Sequence, residues 1–105
     1  MIRIYISGPM TGLPQNNYPA FNKCADDFRR AGFAVVNPAE LAGEKQLTWQ
    51  EYMRQDLRWL LDCDAITMLP GWKNSKGAQL ELAVAQGLGL KIFDSFNQRE
   101  VKEPW

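Results

Sequence analysis

Two carboxylates interrupt the helical patterns around them, and they are the first candidates for chemistry. From Trp49 to about Asp62 the positions Trp49, Tyr52, Met53, Leu57, Leu60 and Leu61 form one apolar stripe. Asp56 falls inside it, one turn after Tyr52 and one turn before Leu60. In a later helix Glu81 lies between Ala78 and Leu82 on the inward stripe that Ala85 continues. Gly77 precedes Glu81 by one turn on the same face, and side chains lean toward the helix N-terminus, so the missing side chain leaves room over Glu81. Paired carboxylates in a crevice suit glycosidic-bond chemistry, in which one is the nucleophile or ion-pair stabiliser and the other donates or positions a proton. The chain has no histidine. A carboxylate is then the best candidate for covalent catalysis, because aspartate or glutamate can form a glycosyl ester. The structural alternatives are an Asp56 held by backbone donors or by Arg3, and a Glu81 on a solvated helix edge.

Other reactive types are less well placed. Cys63 ends its helix just before Asp64 and has no base partner, so it reads as a buried structural thiol. Lys73 and Lys76 flank a loop where they either meet a phosphate or are simply solvated. Trp49 is on the helical stripe and reads as core. Trp72 sits in a crevice loop, where it could stack on a flat base, and Trp59 is off the stripe, an exposed tryptophan that hints at a subunit interface.

The elements that must position these groups alternate between strand and helix. Ile2 to Ser7 reads as a buried strand, followed by a loop from Gly8 to Pro19 rich in Gly, Pro and Asn. A first helix runs to about Ala31, with Phe21, Cys24, Ala25 and Phe28 at helical spacing and Gly32 as its exit. Phe33 to Val36 is a second strand, closing at Asn37-Pro38. Thr48 and Glu51 form a capping box that opens the Asp56 helix. Asp64 to Leu69 is a third strand, Ser75 caps a third helix reaching Gly87 or Leu88, and Leu90 to Phe93 is a fourth strand. The polar tail after Asp94 carries no clear pattern.

This order predicts a single open, mostly parallel α/β sheet with helices on both faces, flavodoxin-like or Rossmann-like, formed by one domain over residues 1–105. Ligands of such sheets bind beyond the carboxyl ends of the strands. Three loops lie there: Gly8-Pro9-Met10-Thr11-Gly12, Asn37-Pro38, and the stretch from Pro70 and Gly71 through Trp72 and Ser75 to Gly77. None contains G-x-G-x-x-G or G-x-x-x-x-G-K-[ST], so dinucleotide and triphosphate fingerprints are absent. The last leads into a helix N-terminus, which attracts an anion or a polar ligand edge, although an ordinary strand-to-helix loop has the same appearance.

Composition excludes several classes. Twelve Lys+Arg balance twelve Asp+Glu, and the isoelectric point is near 6.2, which argues against a broad basic face for a nucleic acid polymer. Cys24 and Cys63 form no C-x-x-C motif, so with histidine absent no metal site is expected, and no cofactor either. No apolar run approaches the roughly 20 residues that span a bilayer, and the N-terminus lacks a secretory pattern. A cytoplasmic protein with free thiols, not bound to a membrane, is expected. A chain this size buries roughly two-thirds of its unfolded surface, enough for one core without staples.

Several blocks together carry a resemblance: Tyr5-Ile6-Ser7-Gly8-Pro9-Met10-Thr11-Gly12, Asn37-Pro38-Ala39-Glu40, Asp56-Leu57-Arg58-Trp59-Leu60, Cys63-Asp64-Ala65-Ile66, Leu69-Pro70-Gly71-Trp72, and Ser75-Lys76-Gly77-Ala78-Gln79-Leu80-Glu81. In order and spacing, over residues 2 to about 93, they resemble the DUF4406 family of phages and prophages. That family is similar to the nucleoside 2-deoxyribosyltransferases and the deoxynucleoside monophosphate N-glycosidases. The resemblance implies a nucleoside deoxyribosyltransferase-like fold with Glu81 as the nucleophile on the anomeric carbon and Asp56 assisting the leaving base. It aligns Tyr5 and Gly8 with first-strand and sugar-side positions, and Ser75 and Gly77 with the S-x-G-x-x-x-E block that contacts the sugar or its 5′ group. Where the glycosidases carry a first-loop arginine, this chain reads Pro9-Met10-Thr11. Many transferases have an aspartate at the Ser75 position and complete the site with a neighbouring subunit's C-terminal residue, a role for which Asn97 and the tail to Trp105 are candidates.

The reading is cleavage or transfer at the N-glycosidic bond of a 2′-deoxynucleoside or nucleotide by a homodimer or larger assembly. Glu81 and Asp56 are its catalytic residues, and Tyr5, Gly8, Met10, Thr11, Asn37, Gly71, Trp72, Ser75 and Gly77 contact the substrate. The competing reading is a non-catalytic module on the same scaffold that captures a nucleotide or an ADP-ribose-like ligand. A structural subunit with an empty crevice is a third.

Overall fold

The computed structural model of the chain describes residues 1–41 and 46–104. Strand β1 (Arg3–Ser7) is followed by α1 (Tyr18–Arg30), β2 (Ala34–Val36), a one-turn helix α2 (Pro38–Leu41), α3 (Trp49–Leu61), β3 (Ala65–Met68), α4 (Lys76–Gly87), β4 (Lys91–Asp94) and β5 (Glu100–Val101). The sheet order is β2-β1-β3-β4-β5. The first four strands are parallel and β5 is antiparallel to β4. The expected strands and helices are present, with ends shifted by a residue or two. Phe33 lies just before β2 and packs its ring edge-on against Phe28 and Phe93.

Four short elements were not anticipated, one of them the 3₁₀ turn Trp72–Asn74. Asn37 caps α2, accepting from the Ala39 N–H at 3.0 Å. In the unpatterned tail, Asp94 Oδ1 accepts from the N–H groups of Phe96 and Asn97, folding the chain back so that β5 pairs with β4. The 3₁₀ turn Pro14–Asn17 contains Gln15, Asn16 and Asn17 in the left-handed region, with φ of 53°, 52° and 61°. L-residues adopt that region at a cost of roughly 1–2 kcal/mol each, less for Asn.

The strand period of two separates two cores. Ile4 and Ile6 join Phe21, Cys24, Ala25 and Phe28 beneath α1, whereas Tyr5 joins Leu60, Ile66, Ala78, Leu82 and Ala85 beneath α3 and α4. The α3 start carries both halves of the capping box between Thr48 and Glu51, and Ser75 Oγ caps α4 by accepting from the Ala78 N–H at 3.2 Å. Gly77 permits close approach of the two helices, since a Cβ there would sit 3.1 Å from Met53 Sδ. No helix among the described residues is long and apolar enough to cross a membrane.

Candidate active site

A cavity of about 680 Å3 opens where the carboxyl end of β1 meets α3 and the start of α4, within the roughly 300–1,000 Å3 usual for small-molecule sites. The β1–α1 loop and the start of α1 contribute Gly8, Pro9, Met10, Thr11, Asn16, Tyr18 and Phe21 to its wall. Helix α3 contributes Trp49, Tyr52, Met53, Gln55 and Asp56, and the α4 side runs from Asn74 through Gly77 to Glu81.

Glu81 anchors the floor. It is only 5 % exposed, and both carboxylate oxygens are engaged: Tyr5 donates its hydroxyl to Oε2, and Ser7 donates to Oε1 at 2.6 Å. The two donors are alternate residues of β1, so the pleat aims both at α4. Burial is the largest influence on Glu81 and pushes its carboxyl up to about 7, against the pull of the Ser7 and Tyr5 hydrogen bonds and with a further rise from the nearby Asp56 charge. Tyr5 is held well above the ordinary phenol range, first by burial and then by the charges of Glu81 and Asp56.

Asp56 faces the same cavity from α3. Burial pushes its carboxyl up to about 6. Arg3 does not reach it: the Arg3 N–H donates to Asp64 Oδ2 at 2.9 Å and its guanidinium to the Asp62 carbonyl at 3.3 Å, tying β1 to the turn after α3. The structural explanation of Asp56 through Arg3 therefore falls. Two carboxyls raised toward neutrality, one gripped by two donors and the other half-buried, thus face one cavity, an arrangement open to acid–base or nucleophilic chemistry.

Of the residues singled out from sequence, Tyr5, Gly8, Met10, Thr11, Asp56, Ser75, Gly77 and Glu81 line the cavity together. Asn37, Gly71 and Trp72 do not. Asn37 is buried, and its carboxamide donates to Asn22 Oδ1 and Glu40 Oε1 besides capping α2, so its hydrogen bonds are spent on holding α1 and α2. Gly71 turns the chain at φ +88° against Pro9. Trp72 is half-buried against the core beneath α4 and borders a separate small hollow with Phe96 and Pro104. Trp59 packs against the same core, half-buried instead of exposed. Trp49, expected in the core, is 37 % exposed at the cavity wall, and the Lys76 ammonium sits 4.1 Å from its ring centroid.

Ser7 was missed, although its place two residues after Tyr5 on an alternating strand was the available signal. Asn16 and Tyr18 were missed because nothing in a loop's composition says which way it folds. Among the described residues no cluster of His, Cys, Asp and Glu could hold a metal ion. Asn97 follows β4 on the turn toward β5, away from the cavity lining, and Trp105 lies outside the described residues.

Two solved structures share this architecture. A conserved protein from Enterococcus faecalis V583 superposes with a TM-score of 0.74 at 20 % identity, over 90 % of this chain and 62 % of its own. A 2-desoxiribosyltransferase from Leishmania mexicana superposes with a TM-score of 0.68 at 19 % identity, over 90 % of this chain and 63 % of its own. The chain thus spans less than two thirds of the length of either, and at these identities the likeness is one of fold. No curated protein sequence matches. The family described as a domain of unknown function, DUF4406, matches residues 2–94, so the chain belongs to the DUF4406 family.

Proposed function

We propose that the protein cleaves or exchanges the N-glycosidic bond of a 2′-deoxynucleoside or its nucleotide, with Glu81 as nucleophile and Asp56 as proton donor to the departing base. The observation that carries this reading is the buried Glu81 carboxylate, oriented by Tyr5 and Ser7 in a cavity that Asp56 also faces. The fold shared with a protein named as a 2-desoxiribosyltransferase supports it.

In the first step a Glu81 oxygen forms a bond to the anomeric carbon while the carbon–nitrogen bond breaks. Its electron pair stays on the base, which takes the Asp56 proton. In the second step water or another base attacks the same carbon and returns a proton to Asp56, and the ester electron pair returns to Glu81. The pair carries one proton between about 6 and about 7. Glu81 is raised further than Asp56, so the resting proton favours Glu81, and the reactive form is the tautomer with that proton on Asp56 and Glu81 ionised. The Tyr5 and Ser7 donors keep Glu81 in one rotamer, so little reorganisation precedes attack.

Chromatography of deoxynucleosides and their monophosphates incubated with the purified protein, with and without a second free base, tests this directly. Base release or exchange that Glu81→Gln abolishes is the expected result. Tight binding of one nucleotide with no turnover across the panel overturns catalysis and leaves a binding protein.

A further inference from the structure

The segment Gln15, Asn16, Asn17 holds three successive side-chain-bearing residues in left-handed backbone. L-residues rarely do this even singly. Something must hold the turn, and part of the answer is local. The Asn17 carboxamide donates to the Pro9 carbonyl at 3.0 Å across the loop, and the Asn16 N–H reaches the Leu13 carbonyl at 3.0 Å. These contacts account for Asn17. They leave Asn16, whose carboxamide makes no hydrogen bond among the described residues and lines the cavity. Gln15 and Asn16 are both exposed, and of the two only Asn16 lines the cavity.

Strained backbone clusters where a ligand is gripped, and here it carries a neutral amide to the cavity wall. Tyr18, two residues on at the start of α1, also lines the cavity and offers a half-buried ring. A carboxamide presents one donor and one acceptor in a plane, the complement of a nucleobase edge. A phosphate would instead prefer the opposite wall, with Lys76 and the capped start of α4.

We propose that Asn16 is a specificity-determining residue: it reads the hydrogen-bonding edge of the nucleobase, and the left-handed turn exists to deliver it. The inference rests on the nucleoside reading of the cavity and adds which residue chooses the base.

Calorimetric titration with the four deoxynucleosides and their 5′-monophosphates, on the intact chain and on Asn16→Ala, Asn16→Gly and Gln15→Gly, tests it without requiring turnover. Asn16→Ala and Asn16→Gly should both shrink the affinity ratio between the best and worst base by about tenfold. Gln15→Gly should leave that ratio unchanged while raising the melting temperature by a few degrees, since glycine tolerates its backbone angle. Asn16→Gly should melt no lower than the parent, which separates lost recognition from lost folding. A ratio unmoved by both Asn16 variants, or affinity lost equally for all four bases, overturns the assignment while leaving the nucleoside reading intact. A parent chain that binds none of the four, either as nucleosides or as 5′-monophosphates, overturns both.

Discussion

Strand β1 supplies both faces of the sheet, and the two faces use it differently. Ile4 and Ile6 enter a cluster beneath α1 with Phe21, Phe28 and Phe93, where the buried Thr67 hydroxyl is satisfied by the Phe93 carbonyl at 2.8 Å. Tyr5 and Ser7 enter the other face, where they meet a buried carboxylate. Burial is nearly complete on both sides, so dryness does not distinguish them. Charge does: the core of the α1 face is apolar apart from neutral, hydrogen-bonded groups such as Thr67, whereas the α4 face tolerates Glu81 only because two hydroxyls are aimed at it. A fold can therefore hold its reactive group against one side of a strand and secure its stability on the other.

Substitutions that act on one face only should separate the two roles. The largest effect belongs to Glu81→Gln, which keeps the shape of the side chain and should lower turnover by about 10⁴-fold, roughly 5 kcal/mol of barrier, with far-ultraviolet circular dichroism unchanged. Phe28→Ala on the opposite face should invert this outcome. It should cost about 3–5 kcal/mol in urea unfolding, with turnover per folded molecule preserved under native conditions. Ser7→Ala comes next. Removing the donor to Oε1 should raise the Glu81 titration, followed by carbon-13 chemical shift of the labelled carboxyl, by about one pH unit and slow turnover near neutrality about tenfold. The smallest effect concerns pH. Burial raises both Glu81 and Asp56, so the folded chain binds these protons more tightly than the unfolded chain. The resulting stabilisation is complete below the usual carboxylate range and is lost as pH rises through about 6 and about 7. Thermal melts should fall from pH 5 to pH 8, and Glu81→Gln should remove most of the slope.

Periodicity made much of this arrangement legible beforehand. Asp56 and Glu81 stood out because each broke an apolar stripe, and Thr48, Glu51 and Ser75 announced the helix starts at which they act. Residues whose role depends on tertiary direction were harder to read. Trp49 obeys the α3 stripe, yet that helix tips its first turn toward the cavity and exposes the ring to Lys76. Trp72 occupies a loop after β3, where stacking on a ligand and packing on the core beneath α4 look alike in sequence. Asn37 was read as a ligand contact because it follows a strand, but the same position caps α2, and capping took its carboxamide. The tail after Asp94 has only two paired residues in β5, too few to imprint an alternation.

Gly8 lies at the cavity wall, yet a Cβ there would sit 2.7 Å from the Leu69 Cβ on the neighbouring chain segment. The position is closed to every other residue by packing, whatever occupies the cleft. In a mutational survey Gly8 would thus score as intolerant alongside Glu81 for an unrelated reason. An evolutionary lineage that abandoned the chemistry would still be obliged to keep the glycine, so invariance at this loop records the spacing of two strands and is a poor witness to substrate.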